Sequence, residues 1–379
     1  MKKILIFARD PGGANTVIPL VAVLKRKGYE VLVFGKDIAL NKFRNNKIKC
    51  QKYPDRFDSY KEKGAEKFLK FINPDLVITG TSSDDLTERY IWKASEKLSI
   101  SSFAILDQWA NYGLRFSKFK VSQIDKYDKD KKHIFLPKKI LVMDDLAKRG
   151  AELAGLPKEK LIVCGQPYFE KMIRFKANSK DKARLRAKYR IEKKDYVITY
   201  ASEPIQRTYG EKSQVANYWG YNEVEIFKKL LLAIESQRSQ KKRDIKLIIK
   251  LHPKENEKYF RKIIQKTKIN KGLKIIIDKA TDPWLLISIS NLVCGMSSMF
   301  LIESLLMNKP TLSIQIGLKK ETPFVLDKMK ILPSILNEKD LQKEIQKAFL
   351  GKMKQKKFKI IKNPVERAAQ LVKRELCQN

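Results

Sequence analysis

Two stretches in the second half of the chain combine residue types that could stabilise a departing phosphate. Lys250-Leu251-His252-Pro253-Lys254-Glu255 follows the apolar run 245–251. This places the imidazole of His252 at a strand end, where it can hydrogen-bond a leaving phosphate, and Pro253 where a helix could start. Gly295-Met296-Ser297-Ser298 joins the apolar run 292–294 to a helical pattern over 299–307. Glycine permits the sharp turn, and two hydroxyls with free helix-start amides make a cradle for an anion. Glu303, inside that helix, is placed to hold ribose hydroxyls or to stand at the edge of the core. Ser202-Glu203-Pro204, behind the run 196–201, is a third strand end that could line the same site.

The first half offers acid chemistry instead. Asp10-Pro11-Gly12-Gly13-Ala14-Asn15 sits between a first strand and a first helix. Its glycines allow backbone to approach a ligand closely, or serve a tight turn. Neither a complete G-x-G-x-x-G nor an acidic residue at the end of the second strand is present, so the dinucleotide fingerprint is incomplete. Leu106-Asp107-Gln108-Trp109-Ala110-Asn111-Tyr112 follows another strand. Asp107 can deprotonate a hydroxyl, and Trp109 and Tyr112 suit the faces of a sugar; a helix cap with core aromatics is the plainer alternative. Asp10 is the reserve base, and Gly12, Gly13, Asn15, Trp109, Asn111 and Tyr112 form the acceptor-side set. His133 lies among lysines and reads as solvent-exposed and inert. Asp128-Lys129-Asp130 spells D-x-D but falls in a lysine-rich linker, and with two histidines in the chain no metal cluster is expected.

These groups need elements to hold them, and the pattern is strand then helix, repeated. Runs at 4–8, 31–34, 76–79, 102–106, 140–143 and 161–164 read as strands, with helices over 15–26, 84–97 and up to 154 between them. A basic connecting segment follows over about 166–193. A second set has strands at 196–201, 245–251, 273–277, 292–294 and 311–316, a helix over 223–236, a basic one from about 255, and terminal helices over 338–349 and 364–376. Short apolar runs with helical spacers predict parallel sheets covered on both faces. Two such sets predict an α/β chain of two Rossmann-like lobes with a cleft between them: 1–178, with a helix at 364–379 packing back on it, and 179–363. Ligands of such sheets sit beyond the carboxyl ends of the strands.

The 379 residues suit two domains. The net charge of +38, from 80 Lys and Arg against 42 Asp and Glu, attracts anions. The lysines are spread along the whole chain, and no zinc-finger spacing or RNA-binding aromatic signature appears, which speaks against nucleic acid. An anionic membrane surface fits better. Cys50, Cys164, Cys294 and Cys377 form no C-x-x-C pair, and Cys164 and Cys294 read as small core residues of a reducing compartment. The apolar run after Met1-Lys2-Lys3 is five residues long and meets Arg9-Asp10, too short for a signal peptide. A cytoplasmic location follows, with the inner face of the membrane as a peripheral option.

The order KLHPKEN, then DPWLLISISNLVCGMSSMFLIESLLMNKP, resembles the carboxyl lobe of bacterial surface-polysaccharide transferases. That group includes CDP-glycerol glycerophosphotransferases, polysialyltransferases and capsule Kdo transferases; GQPYFEKM is similar to their G-x-P-x-x-D segment. The resemblance covers about 200 residues. It implies a GT-B fold and a His-Pro motif with a downstream Ser-Ser that binds the phosphate of a cytidine nucleotide. His252, Pro253, Gly295, Met296, Ser297, Ser298 and Glu303, with Ser202 and Glu203, are then the donor-binding set. The glycerophosphotransferases carry Trp-His-Gly near the position of Asp107-Gln108-Trp109, so their histidine base is missing and Asp107 takes that role. The expected activity is metal-independent transfer of a sugar, sialic-acid-like or Kdo-like, from a cytidine-nucleotide donor to a glycan or lipid-linked acceptor, with no further cofactor. A UDP-sugar 2-epimerase, a CDP-glycerol-type phosphotransferase and a non-catalytic basic binding protein are the alternatives.

Overall fold

The computed structural model describes residues 1–58, 61–210, 218–239, 244–267 and 272–378. The chain divides into two compact units, one formed by Met1–Lys171 with Lys359–Asn379, the other by Met172–Phe358.

Among the described residues, the first unit carries a seven-stranded sheet in the order β3-β2-β1-β4-β5-β6-β7. The strands are β1 (Lys3–Ala8), β2 (Glu30–Gly35), β3 (Gln51–Lys52), β4 (Leu76–Thr79), β5 (Ser101–Ile105), β6 (Lys139–Val142) and β7 (Leu161–Val163). The second carries β8 (Tyr196–Ala201), β9 (Ile245–Lys250), β10 (Leu273–Asp278), β11 (Leu292–Gly295), β12 (Thr311–Ile314) and β13 (Ser334–Ile335), in the order β10-β9-β8-β11-β12-β13. Every neighbouring pair is parallel. The inner strands are apolar on both faces because helices cover both faces; β8 and β9 are buried at every position.

In each sheet the strand order reverses once, between β1 and β4 in the first unit and between β8 and β11 in the second. At such a reversal the following helices leave to opposite faces and open a crevice at the strand tips. The residues after β1, β4, β8 and β11 are therefore the ones best placed to meet a ligand.

The helix Pro364–Gln378 belongs to the first unit. Val365, Ala368, Ala369, Val372 and Leu376 recur at helical spacing and pack in one core with Ala14, Val17, Ile18 and Val21 of the helix Pro11–Arg26. Glu375, on the same helix, is buried at 1% exposure and held by Lys138 at 2.6 Å, Lys139 at 3.3 Å and the Ser101 hydroxyl at 2.7 Å. Burial alone would raise its carboxyl; these donors outweigh it and hold the group below its ordinary range.

Several element boundaries differ from those expected. The first helix begins at Pro11, not residue 15, so Gly12 and Gly13 lie in its first turn instead of a loop. Proline tolerates that position because its missing N–H is unneeded there. The second-unit helix expected from about residue 255 begins at Glu257, where the Asn256 side chain accepts from Lys258 N and caps it; residues 252–256 form a turn. Pro253 therefore does not start a helix.

Candidate functional site

The first-unit candidates cluster at the tips of β1, β4 and β5. Gly13 and Gly80 meet at the reversal point: a Cβ on Gly13 would lie 3.1 Å from Gly80 Cα. The glycines are thus needed for one backbone to approach another. A Cβ on Gly12 would overlap Asp107 Oδ2, which places Asp107 directly against the first turn of the helix. The other oxygen, Oδ1, accepts from Arg115 at 2.8 Å. Arg115 is buried at 1% exposure and also reaches Thr81 O, Thr81 Oγ1 at 3.0 Å and Ala110 O at 3.2 Å. Burial raises the Asp107 carboxyl; Arg115 opposes that and the charge of Asp10 adds to it, leaving a net upward shift. Asp10 caps nothing with its side chain and pairs with Arg9 at 2.6 Å. Asn15 lies a turn into the helix and is partly exposed.

A Gly12→Ala variant tests this contact. The new methyl must push Asp107 off Arg115, at a cost of about 1–3 kcal/mol. The unfolding midpoint in urea should fall accordingly, and a midpoint at or above the parent value would mean that Asp107 turns aside freely.

The aromatic candidates are engaged elsewhere in the unit. Trp109 Nε1 donates to Asp144 at 2.8 Å, and its ring stacks on Phe169 at 6.0 Å. Tyr112 lies over Gly150, and Asn111 occupies the left-handed region at φ 54°. These contacts hold the loop, and Trp109, Asn111 and Tyr112 stay half-exposed in it. His133 is half-buried, not exposed, and its Nε2 pairs with Tyr127 OH at 3.0 Å; burial lowers its pKa. Asp128 and Lys129 are exposed on the short helix Ile124–Asp130 rather than in an open linker, and Asp130 pairs with Lys118 at 2.9 Å. Cys164 and Cys294 are buried and unbridged, as core residues.

Sequence reading missed Glu88 and Arg115. Glu88, on the helix Thr87–Lys97, is 1% exposed and its Oε2 accepts from Ser82 N. Burial, then the charge of Asp10, pushes it up to about 8, so its carboxyl is neutral at pH 7. It is held by Ser82 N in the loop after β4 and raised by Asp10 from beyond β1, a charge whose closeness local spacing does not show.

In the second unit the tip of β8 is the hub. Glu203 accepts from Ser297 N at 2.7 Å and from Ser297 Oγ at 2.9 Å. That bond straddles the reversal between β8 and β11. Burial raises the Glu203 carboxyl, against the pull of the amides of Ser297, Met296 and Ser298. The expected anion cradle is therefore formed, and an anion of the protein's own sits in it. The Ser298 hydroxyl stays out of it: it caps the helix Met299–Leu306 by accepting from Phe300 N at 3.1 Å. Met296 buries its side chain completely, leaving only backbone for a ligand, and that backbone is pinned by Ser313 Oγ donating to Met296 O at 2.6 Å. Gly295 ends β11 with Ala201 O only 3.0 Å from where a Cβ would stand. Glu303 is buried within its helix, at 7% exposure.

On the other side of β8, Ser202 Oγ donates to Glu255 Oε1 at 2.6 Å, and Glu255 Oε2 accepts from His252 N at 2.7 Å. His252 Nδ1 accepts from Lys254 N at 3.1 Å. Burial first, then the charges of Lys254 and Lys279, lowers the imidazole to about 4. At neutral pH the ring is uncharged, and because Nδ1 accepts, Nε2 carries the proton and can donate. An open cavity of about 540 Å3 adjoins this turn, with Arg207, Pro253, Lys254, Glu255 and Lys279 on its walls. His252 and Ser297 do not lie on adjacent strand tips: β8 stands between β9 and β11, and the two are linked through Glu255 of the turn after β9 and through Ser202 and Glu203 at the tip of β8. Among the described residues no group of three or more His, Cys, Asp or Glu side chains is disposed to hold a metal ion.

Two Rossmann-like α/β units in one chain, each with its polar residues at the strand tips, define the GT-B class of architecture. The chain belongs to the CDP-glycerol:poly(glycerophosphate) glycerophosphotransferase family, whose profile matches residues 151–365, and it is a transferase by that membership. Among solved structures it is similar to the UDP-GlcNAc 2-epimerase of Methanocaldococcus jannaschii, with 14% identity, a TM-score of 0.69 and coverage of 98% of this chain and 99% of that one. The Neisseria meningitidis UDP-GlcNAc 2-epimerase bound to UDP-GlcNAc gives 14% identity and 0.67 over 100% of both chains. Anabaena HepE in complex with UDP and glucose gives 14% and 0.60 over 99% and 96%. At these identities the likeness is one of fold. Among curated proteins no sequence matches the chain.

Proposed function

We propose that the chain transfers a sugar from a cytidine-nucleotide donor to a glycan or lipid-linked acceptor, the second unit binding the donor phosphate and the first supplying the base. The observation that carries this reading is the neutral His252, its Nδ1 held by Lys254 N, in a turn whose next residues Pro253 and Lys254 wall a cavity shared with Arg207 and Lys279. A neutral donor aimed at developing phosphate charge stabilises it without a metal. Ser202 supplies a further donor only when Glu255 is protonated and gives its own proton to Ser202, and Ser297 once Glu203 is protonated or displaced by the phosphate. Glu303, buried in its helix, would have to turn outward to reach the ribose. Asp107, raised by burial yet partnered by Arg115, accepts the proton of the acceptor hydroxyl, and Asp10 is the second candidate. A sialic-acid-like or Kdo-like sugar suits the basic surface. That surface also suits an anionic membrane, on which the protein would lie rather than span: no helix among the described residues is long and apolar enough to cross one.

Family membership favours a second reading, transfer of glycerol phosphate from CDP-glycerol. One experiment separates these and the epimerase alternative. The protein is melted with CMP, CDP, UDP and GDP, then incubated with CMP-sugar, CDP-glycerol or UDP-sugar, with and without acceptor. A nucleotide at 100 times its Kd adds about 2.7 kcal/mol of stability. The expected result is stabilisation by CMP and acceptor-dependent consumption of a CMP-sugar. Stabilisation by CDP with turnover of CDP-glycerol establishes the second reading. Conversion of UDP-sugar without acceptor, or stabilisation by none of the four, overturns the first.

A further inference from the structure

Glu255 is neither a strand-tip hydroxyl nor a nucleophile, yet it joins both sides of the second-unit site. Its two oxygens are used by different elements: Oε1 takes the hydroxyl of Ser202 at the tip of β8, and Oε2 takes the backbone N–H of His252 beyond the end of β9. The turn it closes also has Glu255 N donating to His252 O at 2.9 Å, and Lys279 Nζ reaching Glu255 O at 3.0 Å from beyond β10. Arg207, which also lines the cavity, donates to Lys254 O at 3.1 Å. Within this frame Lys254 N meets His252 Nδ1, the contact that puts the ring proton on Nε2. An isolated imidazole takes either tautomer and rotates about its side-chain bonds; here the surrounding turn sets both.

We propose that Glu255 is a positioning residue for His252: its carboxyl clamps the turn 252–255 to the tip of β8 and so fixes the tautomer and aim of the imidazole at the donor phosphate. The role at the phosphate rests on the donor-site reading above; the clamp itself does not. The clamp works in either protonation state. Burial, opposed by the Ser202 and His252 donors and supported by the charges of Glu223 and Glu203, pushes Glu255 up to about 7. As a carboxylate it accepts from both partners. As a neutral acid it accepts from His252 N and donates to Ser202 Oγ, because a hydroxyl can reverse its direction. A glutamine can make the same pair of bonds, its oxygen facing His252 N and its amide facing Ser202; an alanine can make neither.

The test uses the full chain with Glu255→Ala and Glu255→Gln and reads the His252 ring by NMR without ligand. The chain has two histidines, and a His133→Gln background assigns the signals. The expected result is that Glu255→Gln keeps the Nε2–H signature and the low ring pKa. Glu255→Ala should lose the single tautomer, raise the ring pKa toward its ordinary 6.5, and weaken CMP binding about tenfold, with circular dichroism unchanged. A Glu255→Ala ring identical to the parent's overturns the clamp, and so does a Glu255→Gln ring as disordered as that of Glu255→Ala. If Glu255→Ala does not fold, Ser202→Ala removes the other end of the clamp, and a ring in that variant identical to the parent's overturns it. Parent protein that shows the clamp in its ring spectrum but binds no nucleotide removes the donor-site reading and leaves the clamp standing.

Discussion

His252→Ala should lower the transfer rate about 10²–10³-fold while the protein stays folded, the loss expected when one preorganised donor to a developing charge is removed. The effect should fall on kcat more than on KM, since the charge grows in the transition state. The pH dependence adds a second readout. The folded-state pKa of about 4 lies below the ordinary 6.5, so the folded protein resists protonation at this site. Stability contributed by the neutral ring is complete above about 6.5 and is lost as pH falls toward 4. Thermal melts between pH 7 and 4 should show less acid sensitivity in His252→Ala than in the parent. Turnover unchanged by the substitution would remove His252 from the chemistry.

Arg115→Ala should destabilise the first unit by about 3–5 kcal/mol, the cost of leaving one member of a buried ion pair uncompensated. The guanidinium is 1% exposed and serves Asp107, Thr81 and the carbonyl of Ala110 together, so its loss leaves three acceptors without that donor. Asp107, without its partner, would rise further and spend more of its time protonated, which is the wrong state for a base. Activity should therefore fall in the folded fraction as well, with the pH profile moving to higher pH. Arg115→Lys keeps the charge but not the planar fork and should recover part of the stability. Urea titration followed by tryptophan fluorescence measures this, and an alanine variant as stable as the parent would mean that Asp107 is not ionised in the native state.

The two sheets were legible because parallel strands buried on both faces leave unbroken apolar runs, such as KILIFA and YVITYA, and the site motifs were legible because they follow such runs directly. What the residues do there was less visible. Ser297 and Ser298 look equivalent in sequence, yet one is taken by Glu203, 94 residues away, and the other only caps its own helix. Asp107 reads as an open carboxylate, and its pairing with Arg115 depends on a loop whose shape no local pattern announces. Trp109 reads as an open ring, and sequence does not show that Phe169 stacks on it and Asp144 holds its indole N–H. In each case the deciding partner arrives from another element, and hydrophobic periodicity carries no record of polar pairings across strands. His133 was misjudged for the same reason: charged neighbours in sequence do not prevent Tyr127 and Gly155 from covering its ring.

The return of the helix Pro364–Gln378 to the first unit reverses the usual order in which a chain matures on the ribosome. Domains commonly complete themselves in the order they emerge, at about 5–20 residues per second. Here the later unit, contiguous from Met172 to Phe358, has everything it needs first, while the earlier one waits with the apolar flank of Ala14, Val17 and Val21 bare until Val365, Ala368 and Val372 have been added. For that interval, some tens of seconds at such rates, the nascent chain carries an uncovered apolar seam.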